Sequence, residues 1–90
     1  MYSKEITVVN ATGLHARPAS EFITLASTFK SKVTLQRIGE EKKYNGKSMV
    51  ILMTLGLAQG ESAILSAEGE DEKEAVEALA ELVRSGEFGE

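Results

Sequence analysis

A chain of 90 residues can bury one hydrophobic core but not two, so we expect a single domain over residues 1–90. Its 42% hydrophobic and 27% charged residues are typical of globular proteins, and no apolar run approaches the roughly 20 residues that cross a bilayer. The net charge of −4 argues against a protein that binds nucleic acid through a basic face. Because cysteine is absent and the N-terminus lacks signal-peptide features, we expect a cytoplasmic location and no membrane insertion.

The first third of the chain predicts a strand followed by a helix. Residues 2–9 alternate between two faces, with Ile6 and Val8 on the apolar one. From Pro18 onward the apolar residues recur at helical spacing instead. This change of period predicts an amphipathic helix over residues 16–29.

The middle of the chain predicts two strands and a short helix. Residues 32–38 return to period two, and a hairpin turn leads into a short strand around Lys43 and Tyr44. Periodicity alone leaves the next apolar run open, because a buried strand and a short helix would look alike. Ser48 is a good N-cap, and Gly56 suits a left-handed C-terminal position, so the ends of the run favour a helix.

A fourth strand and a long helix complete the chain. Residues 61–69 have the strand pattern, and Asp71 with Glu74 has the spacing of a capping box for a helix that closes at Gly86. The apolar stripe of this helix consists of Ala75, Val76, Leu79, Leu82 and Val83. The order β-α-β-β-α-β-α predicts an α+β fold with a four-stranded antiparallel sheet and three helices on one of its faces.

Few residues of the chain are suited to catalysis or metal binding. His15 is the only histidine, so a catalytic triad or a zinc site would have to rely on it without a cysteine or a second imidazole. An acidic cluster could hold a cation, but it lacks the spacing of a calcium loop, and acids at a helix start also complement the helix dipole. The cluster consists of Glu68, Glu70, Asp71 and Glu72. We favour the dipole interpretation for this cluster and therefore expect no metal. We also expect no cofactor, since no nucleotide-binding motif is present.

His15 lies at the predicted start of the first helix. A lone histidine there is most often solvated or capping, but its neighbours favour another role. Gly13 permits a tight turn, and Pro18 suits the first helical turn, where its missing N–H is harmless. The free amides of Ala16 and Arg17, with the positive end of the dipole behind them, form an anion site to which Arg17 adds a cation.

The same surroundings predict the protonation of the histidine. The dipole and Arg17 repel an imidazolium, so the pKa of His15 should lie below the reference value of about 6.5. A neutral imidazole is a nucleophile, and a phosphoryl group attached to it would bring negative charge to the donors that disfavour the cation. We therefore predict that the pKa of His15 is depressed and that it rises on phosphorylation.

Three stretches carry a family resemblance. "GLHARPA" at 13–19, "KSMVILMTLGL" at 47–57 and "SAEGEDE" at 66–72 resemble HPr, the histidine-containing phosphocarrier family of the bacterial phosphoenolpyruvate:sugar phosphotransferase system. The resemblance implies an open-faced β-sandwich. It also implies a relay in which enzyme I phosphorylates His15, through Nδ1, and His15 passes the group to IIA domains of sugar permeases. Arg17 then takes the role of charge partner.

The apolar run "MVILMTL" predicts a partner surface beside the histidine. A carrier must present one small surface to donor and acceptor in turn, which favours an apolar patch with a polar rim. In a short amphipathic helix we expect Leu52 and Leu55 to face the core and Met49, Val50 and Met53 to face partners. A carrier of this kind is most simply a monomer.

Ser48 has two compatible interpretations, an N-cap and a regulatory site. It matches the serine that HPr kinase/phosphorylase modifies in many Gram-positive members of the family, where the product acts with a catabolite-control transcription regulator. Phosphate is tolerated at a helix N-terminus, while its charge would disturb an apolar interface. Ile51 departs from that pattern, because seryl-phosphorylated relatives commonly carry glycine there.

Two alternative functions belong to other classes. A regulatory-only relative would act through phosphorylated Ser48, but it would lack the combination of His15, Arg17 and Pro18. A small RNA-binding module would fit the fold alone, yet no G-x-x-G clamp with basic flanks is present.

Overall fold

The computed structural model describes residues 1–9, 13 and 16–85, except for the side chains of residues 16 and 17. The elements, in chain order, are β1 Tyr2–Thr7, α1 Ala16–Ala26, β2 Lys32–Arg37, β3 Lys43–Asn45, α2 Met49–Leu55, β4 Ser62–Glu68 and α3 Glu72–Ser85. This order and the predicted α+β class are confirmed. Within the described ranges no helix is long and apolar enough to cross a membrane.

The four strands form one antiparallel sheet in the order β1-β4-β2-β3. β4 lies at its centre, with Ile6 of β1 opposite Ala63 and Leu35 of β2 opposite Leu65. These side chains share the face that the helices cover. The opposite face is polar at its centre, where the hydroxyl of Ser66 lies 2.8 Å from that of Ser3.

Side chains of all three helices pack with that sheet face into one hydrophobic core. Phe22 of α1, Leu52 of α2 and Val76 of α3 are fully buried within it. The predicted alternation in the first strand is also present, because Ile6 and Val8 are buried and their sequence neighbours are exposed. The core therefore packs α1 and α2 onto the sheet, which supports any site built on these helices.

Several predicted element ends were wrong by one to three residues. The first strand ends at Thr7 rather than at residue 9, although Val8 still makes two backbone bonds beyond it. The first helix ends at Ala26 rather than at residue 29, because the amides of Thr28 and Phe29 bond three residues back instead of four. The second and fourth strands are shorter than predicted by one residue and two residues, respectively.

The caps of α2 confirm the helical interpretation of the apolar run. The Ser48 hydroxyl accepts a hydrogen bond from the Ile51 amide at 3.3 Å. Gly56 adopts a left-handed conformation with φ +58°, and its amide donates to the Leu52 carbonyl. Since both ends are fixed, the seven-residue helix has a defined register.

The predicted capping box of the last helix was wrong. The Asp71 carboxylate turns away from the helix and accepts from the amides of Lys30 and Ser31, at 2.8 and 2.9 Å, and from the Ser31 hydroxyl at 2.5 Å. Glu72 instead accepts from the Gly69 amide at 3.2 Å and lies in the first helical turn, as the dipole interpretation of the acidic cluster expects. Asp71 therefore ties α3 to the end of the α1–β2 connection. The predicted end at Gly86 lies outside the described residues.

Candidate functional site

The predicted site is the segment that leads into α1. His15, its central residue, lies outside the described residues. α1 begins at Ala16, as predicted, so Pro18 occupies the first turn, where it is buried. Arg17 is the second helical residue, and no acidic residue occupies this turn. The positive end of the helix dipole is therefore not neutralised by an acid within the turn itself.

Gly13 is the last described residue before the predicted acceptor. It is buried and has φ +67°, a conformation that L side chains rarely adopt. A Cβ built on it would come within 2.5 Å of the Leu57 carbonyl oxygen and 3.0 Å of the Ala58 Cα. Only glycine fits there, which explains the residue on steric grounds and seats the segment against residues 57–61, here called the holding loop.

The holding loop also bonds to the chain earlier in the sequence, at Val8 and Val9. The Val8 amide donates to the Glu61 carbonyl at 2.9 Å, and the Val8 carbonyl accepts from the Gly60 amide at 2.8 Å. The Gln59 side-chain amide adds a 3.0 Å bond to the Val9 carbonyl. The loop thus contacts the chain both before residue 10 and at Gly13. This role has no local signature in the sequence, because Gly60 indicates a turn but not what the turn contacts.

A charged pair lies at the far end of the holding loop. The Glu61 carboxylate accepts from the Ala58 amide at 2.8 Å and from the Arg37 guanidinium at 2.8 Å. These bonds, with the Ala58 amide as the larger cause, hold the pKa of Glu61 below its ordinary value. The carboxylate is therefore charged at neutral pH and fastens the loop to β2.

Two of the three residues predicted to form a partner surface on α2 are exposed, while their contact with a partner stays a prediction. Val50 and Met53 are 73% and 49% exposed and form an apolar patch, here called the α2 patch. Leu52 and Leu55 are buried, as predicted. The prediction that Met49 faces outward with the patch was wrong, because it is only partly exposed and packs against the core. Met49 lies one helical turn before Leu52 and so shares the inward face.

The described candidate site residues lie on α2 and near the start of α1, two helices that pack together. Gly13 meets the chain just beyond the C-terminal end of α2, and the α2 patch lies one to two turns back along the helix. Ser48, partly exposed, caps the opposite end, roughly 10 Å from Leu55 at 1.5 Å per residue. The arrangement combines a helix start and an apolar patch on neighbouring helices, with the serine farther along.

Comparisons with known proteins agree on one family. A family model described as "PTS HPr component phosphorylation site" matches residues 2–85. Phosphocarrier protein HPr of Haemophilus influenzae is 43% identical over 83 residues, 92% of this chain and 95% of that protein. The crystal structure of HPr-C-His from Thermoanaerobacter tengcongensis is 47% identical and has a TM-score of 0.91, covering 100% of this chain and 98% of the other.

A third similar protein has a different description. The Bacillus subtilis catabolite repression containing protein Crh, a dimer with a swapped domain, is 43% identical. Its TM-score is 0.74, covering 96% of this chain and 97% of the other. The fold is therefore shared by proteins whose names describe a phosphocarrier and catabolite repression.

Proposed function

The chain belongs to the HPr family, the phosphocarriers of the phosphotransferase system, and from this premise we propose that it accepts a phosphoryl group on His15. The observation that carries the proposal is the seating of Gly13. Gly13, two positions before His15 in the sequence, packs closely against the Leu57 carbonyl. α1 begins at Ala16, one position after His15. His15 immediately precedes the first helical residue in the sequence, and the first amides of a helix attract anions.

The proposed step is an exchange of one P–N bond for another. The lone pair of neutral Nδ1 attacks phosphorus while the bond to the donor breaks and its electron pair returns to the donor. The dipole of α1 and the amides of Ala16 and Arg17 stabilise the charge of roughly −1.5 to −2 that arrives. Arg17 adds a fixed cation. Because these donors are few and involve no metal, the group is held moderately and can move on.

The proposed partners are enzyme I as donor and the IIA domains of sugar permeases as acceptors. Both must close over His15, and the α2 patch supplies the apolar contact that each would use in turn. Met53 suits successive partners because its side chain repacks easily. We place the protein in the cytoplasm, where phosphoenolpyruvate is available, as a monomer, because one small surface must remain open to alternating partners.

Ser48 is the proposed second phosphorylation site, for HPr kinase/phosphorylase. Its partial exposure and its position at the start of α2 support this role, since phosphate oxygens could replace the hydroxyl as acceptors for the Ile51 amide. The charge would lie two residues from Val50 and would disfavour docking of an apolar partner surface. A catabolite-control transcription regulator is the proposed reader of the modified protein.

Regulation through Ser48 without phosphoryl transfer is the second candidate function. The similarity to Crh, whose name describes catabolite repression, favours it. The combination of His15, Arg17 and Pro18 favours the carrier, because a purely regulatory protein does not need a nucleophile at a helix start.

One labelling experiment separates the two functions. The protein is incubated with enzyme I and phosphoenolpyruvate labelled in its phosphate, and the labelled product is exposed to acid and to alkali. We expect stoichiometric label that is lost in acid and kept in alkali, as for phosphohistidine, and no label on His15→Ala. Absence of label, or a label that survives acid, would exclude the carrier and leave the regulatory role.

A further inference from the structure

Arg37, the last residue of β2, joins three parts of the molecule through one guanidinium group. Its Nη1 donates to Glu61 Oε2 at 2.8 Å, and its Nη2 donates to the Leu55 carbonyl at the end of α2. The other Glu61 oxygen, Oε1, accepts from the Ala58 amide inside the holding loop. One ion pair therefore closes the loop on itself and fastens it to β2 and to the end of α2.

The contacts of the holding loop connect this ion pair to Gly13, at the segment that leads into α1. The loop begins at Leu57, which is buried in the core and whose carbonyl lies against Gly13. It ends at Glu61, whose backbone carbonyl binds the Val8 amide. The loop therefore contacts the chain at Val8 and at Gly13, so its position constrains where Gly13 lies.

We propose that Arg37 and Glu61 are a positioning pair that holds the loop of residues 57–61 against Gly13 and so keeps His15 aligned for phosphoryl transfer. The inference rests on the proposed function and names two residues that assist it without touching the phosphoryl group. It follows that loosening the pair slows transfer more than it weakens docking at the α2 patch, whose own side chains are unchanged.

The pair is poorly explained as a stabilising ion pair alone. The Arg37 and Glu61 side chains are 26% and 40% exposed, and exposed ion pairs contribute roughly 0–1 kcal/mol to the free energy of unfolding. Both terminal guanidinium nitrogens, Nη1 and Nη2, and both carboxylate oxygens are nevertheless used, and two of the three hydrogen bonds are to backbone atoms of α2 and the holding loop. Bonds at all four of these atoms fix the relative positions of β2, α2 and the holding loop, because the donors of a planar guanidinium point in fixed directions.

The test measures kcat and KM of enzyme I with this protein as the phosphoryl acceptor. Arg37→Met removes both donors and keeps a similar stem, while Glu61→Gln keeps an acceptor for the Ala58 amide and loses the charge. The matched control is Glu77→Gln, which breaks a 3.0 Å ion pair with Lys4 between α3 and β1. Glu77 makes no contact with the holding loop among the hydrogen bonds and ion pairs of the described residues.

We expect kcat to fall roughly fivefold to tenfold in Arg37→Met, within the 100-fold that a 1 Å misplacement can cost. KM should stay within about twofold, because the α2 patch is unchanged. Glu61→Gln should give a smaller loss, and the double variant should be no slower than Arg37→Met, since the pair acts as a unit. Amide resonances of Gly13 and Ala16 should shift in both variants but not in Glu77→Gln.

The outcomes distinguish the two proposals. If the unsubstituted protein is not labelled, the proposed function itself fails, whatever the variants do. If it is labelled and Arg37→Met matches it in kcat, with the Gly13 resonance unmoved, the pair has no positioning role and the inference is overturned. A fall in kcat of the same size in Glu77→Gln would also overturn it, because the effect would then belong to general destabilisation.

Discussion

Replacing Gly13 with alanine tests how tightly the segment before His15 is seated. At φ +67° the new Cβ crowds its own backbone, and it also points at the Leu57 carbonyl oxygen, 2.5 Å away. The atoms nearest to the new Cβ all belong to the backbone of the holding loop, so no flexible side chain can move aside. Either the loop or the segment before His15 must shift.

The structure allows the size of the effect to be worked out. A left-handed alanine costs roughly 1–2 kcal/mol. Displacing close-packed backbone adds about 1–3 kcal/mol. Gly13→Ala should therefore lower the free energy of unfolding by about 2–5 kcal/mol. For a domain of this size, each kcal/mol lost lowers Tm by about 4–8 °C. Gly39→Ala is the matched control, since Gly39 has φ +86° but no atom within 4 Å of the added Cβ.

Urea and thermal unfolding of the two variants measure the difference directly. We expect Gly13→Ala to be less stable than Gly39→Ala by about 1–3 kcal/mol, the cost of the contact with the holding loop. Transfer of the phosphoryl group from enzyme I should slow in Gly13→Ala alone, because only that variant displaces the segment that leads into α1. Equal stability and equal transfer rates in the two variants would refute the close seating of Gly13 and the account of the site built on it.

Three further predictions concern other parts of the molecule. Hydrogen bonds from Ser31 and from the Lys30 amide hold the pKa of Asp71 below its ordinary 3.8. The stability that they contribute is therefore present above that pH and is lost as pH falls through the folded-state pKa. Asp71→Asn should flatten this part of the acid unfolding curve. Leu52→Ala should lower the free energy of unfolding by about 2–5 kcal/mol, whereas Val50→Ala should leave it within about 0.5 kcal/mol and raise the KM of enzyme I instead. An NMR titration should place the pKa of His15 below about 6.5 in the free protein and higher after phosphorylation.

Local signals predicted the elements because the signals and the packing agree. The apolar residues of the helices and strands recur at the period of each element, so the buried set, such as Phe22 and Leu52, could be predicted from spacing alone. The ends of α2 were predictable for the same reason. Ser48 and Gly56 are residues whose cap geometry is local, and each makes the cap bond that its chemistry favours.

The errors arose where a residue's partner is distant in sequence. Asp71 has capping-box spacing, yet its carboxylate binds the turn at Ser31, 40 residues away, where two amides and a hydroxyl outcompete the local cap. The pairing of Arg37 with Glu61 likewise links separate elements and has no local pattern. Such contacts follow from the tertiary fold, so the holding loop and its ion pair became apparent only with the structure.

Onward transfer is the most direct test of the central claim, because a carrier must give up what it accepts. The phosphorylated protein is separated from enzyme I and phosphoenolpyruvate and mixed with a IIA domain, and the label on each protein is followed over time. We predict that label leaves this protein and appears on the IIA domain in equal amount. Label that stays on this protein, or that is released only as inorganic phosphate, would contradict the claim.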